Sequence, residues 1–154
     1  MARSHAHAHA HAPRLTPHTH TLAAGTIGWQ EVILTILYSI AGLGIAIVND
    51  FKSIEGDRAL GMNSLPVAFG IDKAKWICVA SIDITQLSVA AYLYLIGETT
   101  FAAVLFALVL PQMFSQISFL QDPVANDVKY QAAAQPFLVF GILTTACAVG
   151  HHAF

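Results

Sequence analysis

The sequence predicts an all-α integral membrane protein of about four transmembrane helices, and three observations carry that class. The 154 residues are 56% hydrophobic and only 10% charged, where ordinary soluble domains hold about a quarter charged residues. Apolar runs of about 20 residues, the length a helix needs to cross a hydrocarbon core, recur along the chain. The runs are separated by short stretches that hold most of the charge. The formal net charge of −2 comes with no basic stripe, so nucleic acid is not expected as a partner.

Taken in order, the first stretch differs in kind from the rest. Residues 1–22, "MARSHAHAHAHAPRLTPHTHTL", hold six of the eight histidines, and His5, His7, His9 and His11 alternate with alanine. Such a tract can bind divalent transition metals, although the blander readings are the stronger ones. It also reads as a disordered tail, a tag remnant or a misassigned start. It has no apolar core for a secretory signal and too little Ser and Arg for a transit peptide. Residues 1–22 are therefore set apart as a low-complexity, disordered segment, and residues 23–154 as a membrane domain.

Four spans follow, at Trp29–Val48, Trp76–Ile96, Thr100–Leu120 and Pro136–His151, the last short enough that it could begin earlier, in "QAAAQ". Gly42 and Gly44 in the first suit close helix–helix approach. Pro111 in the third predicts a kink. Cys78 and Cys147 lie in apolar segments without a CxxC partner and read as small hydrophobes. The connection 49–75 carries Lys52, Arg58, Lys73 and Lys75, and the connection 121–135 carries Lys129. The turn "GETT" carries neither Lys nor Arg. That bias puts the 49–75 connection on the cytoplasm-equivalent side.

The 49–58 stretch, "NDFKSIEGDR", raises the sharpest question: why so many charges gather at the end of an apolar run. If it continues the first helix, Asp50, Ser53 and Asp57 share one face. Two carboxylates two turns apart, about 10 Å, are too far apart to share one ion tightly. They are a reasonable span for a polyphosphate gripped through bridging Mg²⁺, an ion commonly held by one or two carboxylates plus substrate phosphate. Lys52 and Arg58 could take phosphate oxygens directly, and Gly56 and Gly61 let the backbone bend. The plainer reading is a solvated juxtamembrane loop.

A second polar set lies inside the spans. Asp83 and Gln86 stand in the second, and Gln112, Ser115 and Gln116 in the third around Pro111. Counted at about 1.5 Å per residue, the two groups fall at similar depth. An ionised Asp facing lipid is costly, so a protein-lined or wet cavity is expected there. A hydrogen-bonded helix–helix pair without a ligand is the alternative.

"YSIAGLGIAIVNDFKSIEGDRALGMNSLPVAFG", with "AKWICVASIDITQLSVAAYL" and "DPVANDVKYQAAAQPF" behind it, resembles the chlorophyll branch of the UbiA-type prenyltransferase superfamily. The likeness runs from about Thr26 to the C-terminus. It implies a partial UbiA-type helical bundle, four of about nine spans, and transfer of a phytyl or geranylgeranyl group from its diphosphate to the carboxylate of chlorophyllide. On the motif, Asp50 and Asp57 match the acids that hold Mg²⁺ and diphosphate. Asn49, Lys52, Glu55 and Arg58 are second-rank, and Asp83, Gln86, Gln112 and Gln116 would be polar groups of the cavity. The resemblance also implies a chloroplast (thylakoid) membrane, with the acidic stretch on the stromal side.

The sequence departs from that pattern in two places. Ser53 stands where many members of the superfamily have an acid, and nothing before Asn49 resembles the family's earlier acidic motif. The chain is therefore expected to be the C-terminal part of such an enzyme, inactive alone and completed by an N-terminal half. Three other readings stay open: a UbiA-type prenyltransferase of another aromatic acceptor, a non-catalytic membrane protein docking onto pigment-assembly partners, and a small transporter using Asp83.

Overall fold

The computed structural model describes residues 28–152, so the His/Ala-rich segment 1–22 lies outside the described residues. Six α-helices and one 3₁₀ turn make up the described chain, with no strand among them. Helix α1 is Trp29–Asp50, followed by the 3₁₀ turn Phe51–Ser53 and the short helices α2, Ile54–Ala59, and α3, Leu65–Phe69. Then come α4, Ile71–Leu95; α5, Thr99–Gln121; and α6, Pro123–His152. Four helical stretches are long and apolar enough to cross a membrane: Trp29–Ala59, Ile71–Leu95, Thr99–Gln121 and Pro123–His151. The expected class holds.

The four long helices close a bundle in which α1 packs on α4, α4 on α5, α5 on α6, and α6 back on α1. Packing occurs in two layers. The layer nearest the acidic turn contains Val48, Phe51, Cys78, Ile82, Phe119 and Tyr130. The far layer contains Leu34, Val89, Leu93, Leu105 and Ala148. The outer face is also apolar: Ile33, Leu43, Ile84, Phe106, Phe114 and Phe140 are all exposed. A continuous exposed apolar surface of this kind suits lipid.

The fourth span departs from expectation. It begins at Pro123, not near Pro136, so Pro136 lies inside α6 and Lys129 sits on a helix instead of in a 121–135 loop. The local cause is legible. Asp122 takes the backbone N–H of Ala125 at 3.1 Å on its side-chain oxygen, an N-cap bond, and proline is favoured at the first helical position. Only Asp122 separates α5 from α6. Similarly, α5 runs through Pro111 as one helix. The 49–75 connection is not a loop either, since most of it is helical.

The two glycines of α1 turn out to be different. Gly44 is buried against α4, where Cys78 Sγ donates to its carbonyl oxygen at 3.2 Å, while a Cβ on Gly42 would meet nothing within 4 Å. Close approach of α1 and α4 belongs to Gly44 alone.

Candidate functional site

The acidic turn is built where α1 ends. Helix α1 stops at Asp50, and a single 3₁₀ turn re-aims the chain into α2. The expected continuous helix over 49–58 is thus interrupted, yet the face it predicted survives. Ser53 Oγ lies 3.2 Å from the Asp50 carbonyl oxygen and 3.3 Å from Asp57 Oδ2, and donates toward both. The charge of Asp57 acts on Asp50, and the backbone N–H of Leu65 lies near enough to oppose that effect. The start of α3 therefore folds back onto the turn. Asp57 is 7% exposed, an unusual place for a carboxylate without a cationic partner.

The other charges of the stretch face outward. Lys52 Nζ donates to Asn49 Oδ1 at 3.2 Å, and Glu55 and Arg58 are exposed. Gly56 is an ordinary helical residue, whereas Gly61, at φ 69°, takes the left-handed conformation that lets the chain leave α2. Met62 N–H closes that turn on the Asp57 carbonyl at 2.8 Å.

The intramembrane set divides in two. Asp83 Oδ1 accepts from Gln116 Nε2 at 2.7 Å and from Gln112 Nε2 at 3.2 Å, so α4 and α5 share one carboxylate. Gln116 Nε2 also lies 3.3 Å from the Tyr130 hydroxyl on α6. Gln86 does not join this set. It is fully buried, neither of its amide atoms has a hydrogen-bond partner, and it lies near Gly141 of α6. Beside it, Tyr38 bonds with the Gly141 carbonyl at 3.0 Å and the Thr145 hydroxyl at 2.6 Å.

Three participants carried no signal in the sequence reading. Phe51 is 1% exposed and sits edge-on to Phe119, with ring centroids 5.4 Å apart. Tyr130 stacks on Phe119 at 4.6 Å. Asp127 is buried, with one carboxylate oxygen taking the Val128 N–H at 2.6 Å and the other without a partner. A lone Asp near the start of a helix is more often a solvated surface residue, so its burial could not have been read from the sequence.

Among the described residues no group of three or more His, Cys, Asp or Glu side chains could hold a metal ion. Asp50 and Asp57 offer oxygen donors only, and the Ser53 hydroxyl ties the Asp57 carboxylate to the backbone carbonyl of Asp50. That donor set fits a hard cation such as Mg²⁺ that keeps water or phosphate in the rest of its shell, and does not make a closed cage.

Residues 17–141 match the UbiA prenyltransferase family, which covers the acidic turn, α4, α5 and most of α6. The chain belongs to the UbiA prenyltransferase family. It is 66% identical over 128 residues to the chloroplastic chlorophyll synthase of Avena sativa, covering 82% of this chain and 34% of that protein. Against the chloroplastic chlorophyll synthase of Arabidopsis thaliana the identity is again 66%, over 82% of this chain and 33% of that protein. The bacteriochlorophyll synthase 34 kDa chain of Chloroflexus aurantiacus is 35% identical over 76% of this chain and 38% of its own length. The chain thus spans about a third of the length of the curated plant relatives it matches. No solved structure matches it. As a UbiA family member it is a helical membrane bundle, and Asp50 to Arg58 is the charged turn at one end of that bundle.

Proposed function

We propose that this chain supplies one acidic face of the diphosphate site in a prenyltransferase of chlorophyll biosynthesis. The reaction esterifies chlorophyllide with a phytyl or geranylgeranyl group. The observation that carries the reading is that the Asp57 carboxylate, held by Ser53 against the Asp50 backbone, lies close enough for its charge to act on the Asp50 carboxylate at the end of a membrane helix, in a chain 64–66% identical to plant chlorophyll synthases.

In this chemistry a carboxylate oxygen of the acceptor bonds to C1 of the prenyl chain. The C–O bond to diphosphate breaks, and its electron pair leaves with the diphosphate. The acceptor carboxyl is already ionised at neutral pH, so no dedicated general base is required. Bound Mg²⁺ would neutralise the charge that grows on the departing diphosphate. Asp50 and Asp57 would hold the cation, with Ser53 fixing the direction of Asp57. Lys52, Arg58 and Asn49 lie at the same turn, where they can reach phosphate oxygens. Two carboxylates leave much of a cation's shell to other donors, so on this reading a second acidic set, from an N-terminal half, completes the clamp. The Lys and Arg residues of 49–75 favour the stromal side of a chloroplast membrane for the turn.

The test is Mg²⁺-dependent binding of geranylgeranyl diphosphate to the chain in lipid nanodiscs. Binding that disappears in Asp50→Asn and in Asp57→Asn supports the reading. Binding that is indifferent to both substitutions, or to removal of Mg²⁺, overturns it. Esterification of chlorophyllide is then assayed with an N-terminal half supplied.

A further inference from the structure

We propose that Asp83 is a positioning residue for the acidic turn, acting through Gln116, Tyr130, Phe119 and Phe51. The consequence for ligand binding rests on the diphosphate reading above, while the mechanical link stands on the contacts alone.

The link is continuous and crosses three helices. Asp83 on α4 holds Gln116 of α5 at 2.7 Å. The same Gln116 nitrogen reaches the hydroxyl of Tyr130 on α6 at 3.3 Å. The Tyr130 ring lies over Phe119 at 4.6 Å with the planes only 24° apart. Phe119 in turn meets Phe51 at 5.4 Å and 88°, an edge-to-face contact, one of the arrangements aromatic pairs prefer. Phe51 is the residue after Asp50 and the first of the 3₁₀ turn, which has no side-chain cap of its own. The seat of the Phe51 ring therefore helps to set where Asp50 and Ser53 point.

The chemistry of each member suits this role. A carboxylate at bilayer depth is expensive unless it is satisfied within the protein. Here one oxygen takes two carboxamide donors, which fixes the rotamers of Gln112 and Gln116 together. Gln112, Gln116, Phe119 and Tyr130 are all buried, the last two at 0% exposure. Movement at one end is thus transmitted, because close-packed interiors have no slack to absorb it. Without the Asp83 acceptor, Gln116 keeps only its 3.3 Å contact with the Tyr130 hydroxyl, and nothing on α4 fixes the position of that pair.

The experiment compares wild type, Asp83→Asn, Asp83→Leu and Gln116→Leu in lipid nanodiscs. Leu93→Ala, a core lesion in the far layer, serves as the stability control. Amide hydrogen exchange over residues 51–58 reads the turn directly. The Mg²⁺ concentration that half-saturates geranylgeranyl diphosphate binding reads its consequence. Asp83→Leu and Gln116→Leu are expected to speed exchange over 51–58 and to raise the half-saturating Mg²⁺ concentration, each by about tenfold, the factor for losing one hydrogen bond to a charged group. Asp83→Asn keeps an acceptor oxygen and should restore most of both. Leu93→Ala should lower thermal stability without either change. Exchange over 51–58 that is unchanged in Asp83→Leu, or changed equally in Leu93→Ala, overturns the proposal. If the wild type binds no diphosphate, the proposed function falls, and the exchange pattern alone decides the positioning role.

Discussion

Gly44→Ala set beside Gly42→Ala separates a packing role from a propensity effect within one helix. Both substitutions replace a helical glycine and gain the same intrinsic term, about 1 kcal/mol. At Gly42 the added methyl meets nothing within 4 Å, so the gain stands alone. At Gly44 it would lie 2.5 Å from Ser81 Oγ, 2.6 Å from Ile82 Cγ1 and 2.9 Å from the Cys78 carbonyl oxygen. None of the three gives way easily. The Ser81 hydroxyl is bonded to Cys78 O at 2.8 Å, Ile82 is fully buried, and the carbonyl is backbone. Relief requires α1 and α4 to move apart, which also stretches the 3.2 Å contact from Cys78 Sγ to Gly44 O. Overpacking of this kind costs about 1–3 kcal/mol, and three obstructed contacts place it in the upper half. Since the propensity gain cancels in the comparison, the two variants should differ by about 2–3 kcal/mol. Denaturant unfolding of the chain in detergent micelles, with thermal unfolding alongside, measures the gap. Two variants of equal stability, within about 0.5 kcal/mol, would refute a tight α1–α4 seam at Gly44.

Three further outcomes follow from single contacts. Ser53→Ala removes the hydroxyl that donates to the Asp57 carboxylate and to the Asp50 backbone carbonyl and should weaken Mg²⁺-dependent diphosphate binding by about fivefold to tenfold, the size of one net hydrogen bond of about 1 kcal/mol; titration calorimetry reads it. Gln86→Met replaces a buried amide that has no partner with an apolar side chain of similar shape and should raise stability by about 1–3 kcal/mol; a loss in chemical unfolding would mean the amide is satisfied. Asp122→Ala deletes the cap of α6 and should cost about 1 kcal/mol, seen as faster amide exchange over residues 123–126.

Most of the architecture was legible because bilayer thickness, not detail, sets helix length. The expected spans at Trp29, Trp76 and Thr100 differ from the observed helices only at their ends, as hydropathy marks the apolar core of a span and not its polar extensions. Pro136 marks where the apolar core of the fourth span starts, while Asp122–Pro123 holds the stronger start signal for the helix. Polar residues were found by type but not by partner. Asp83, Gln112 and Gln116 meet, whereas Gln86, three residues from Asp83, points into a different interface. Helical spacing cannot say which of two neighbouring helices a side chain will face. The acidic turn was legible through Asp50, Ser53 and Asp57. Its support from Phe51, Leu65 and Tyr130 was not, because those residues are remote in sequence or ordinary in composition.

Asp57→Asn distinguishes a residue kept for binding from one kept for folding. In the wild type a carboxylate at 7% exposure sits beside the charge of Asp50 with a single hydroxyl as side-chain partner. Two like charges held together without a cation oppose the fold. Asparagine keeps the shape and an oxygen for Ser53, and it leaves the 2.8 Å bond from Met62 N–H to the Asp57 carbonyl untouched, so without metal the variant should be as stable as wild type or more so. Ligand reverses the order. With Mg²⁺ and geranylgeranyl diphosphate at a hundred times the dissociation constant, wild type should gain about 2.7 kcal/mol by mass action, and Asp57→Asn should gain almost nothing. A crossing of the two unfolding curves on adding ligand is the expected signature, since sites built for a ligand are the places where a fold tolerates destabilising groups. If the variant is less stable without metal and keeps the full ligand increment, Asp57 is a structural carboxylate, and the case for a cation at this turn fails with it.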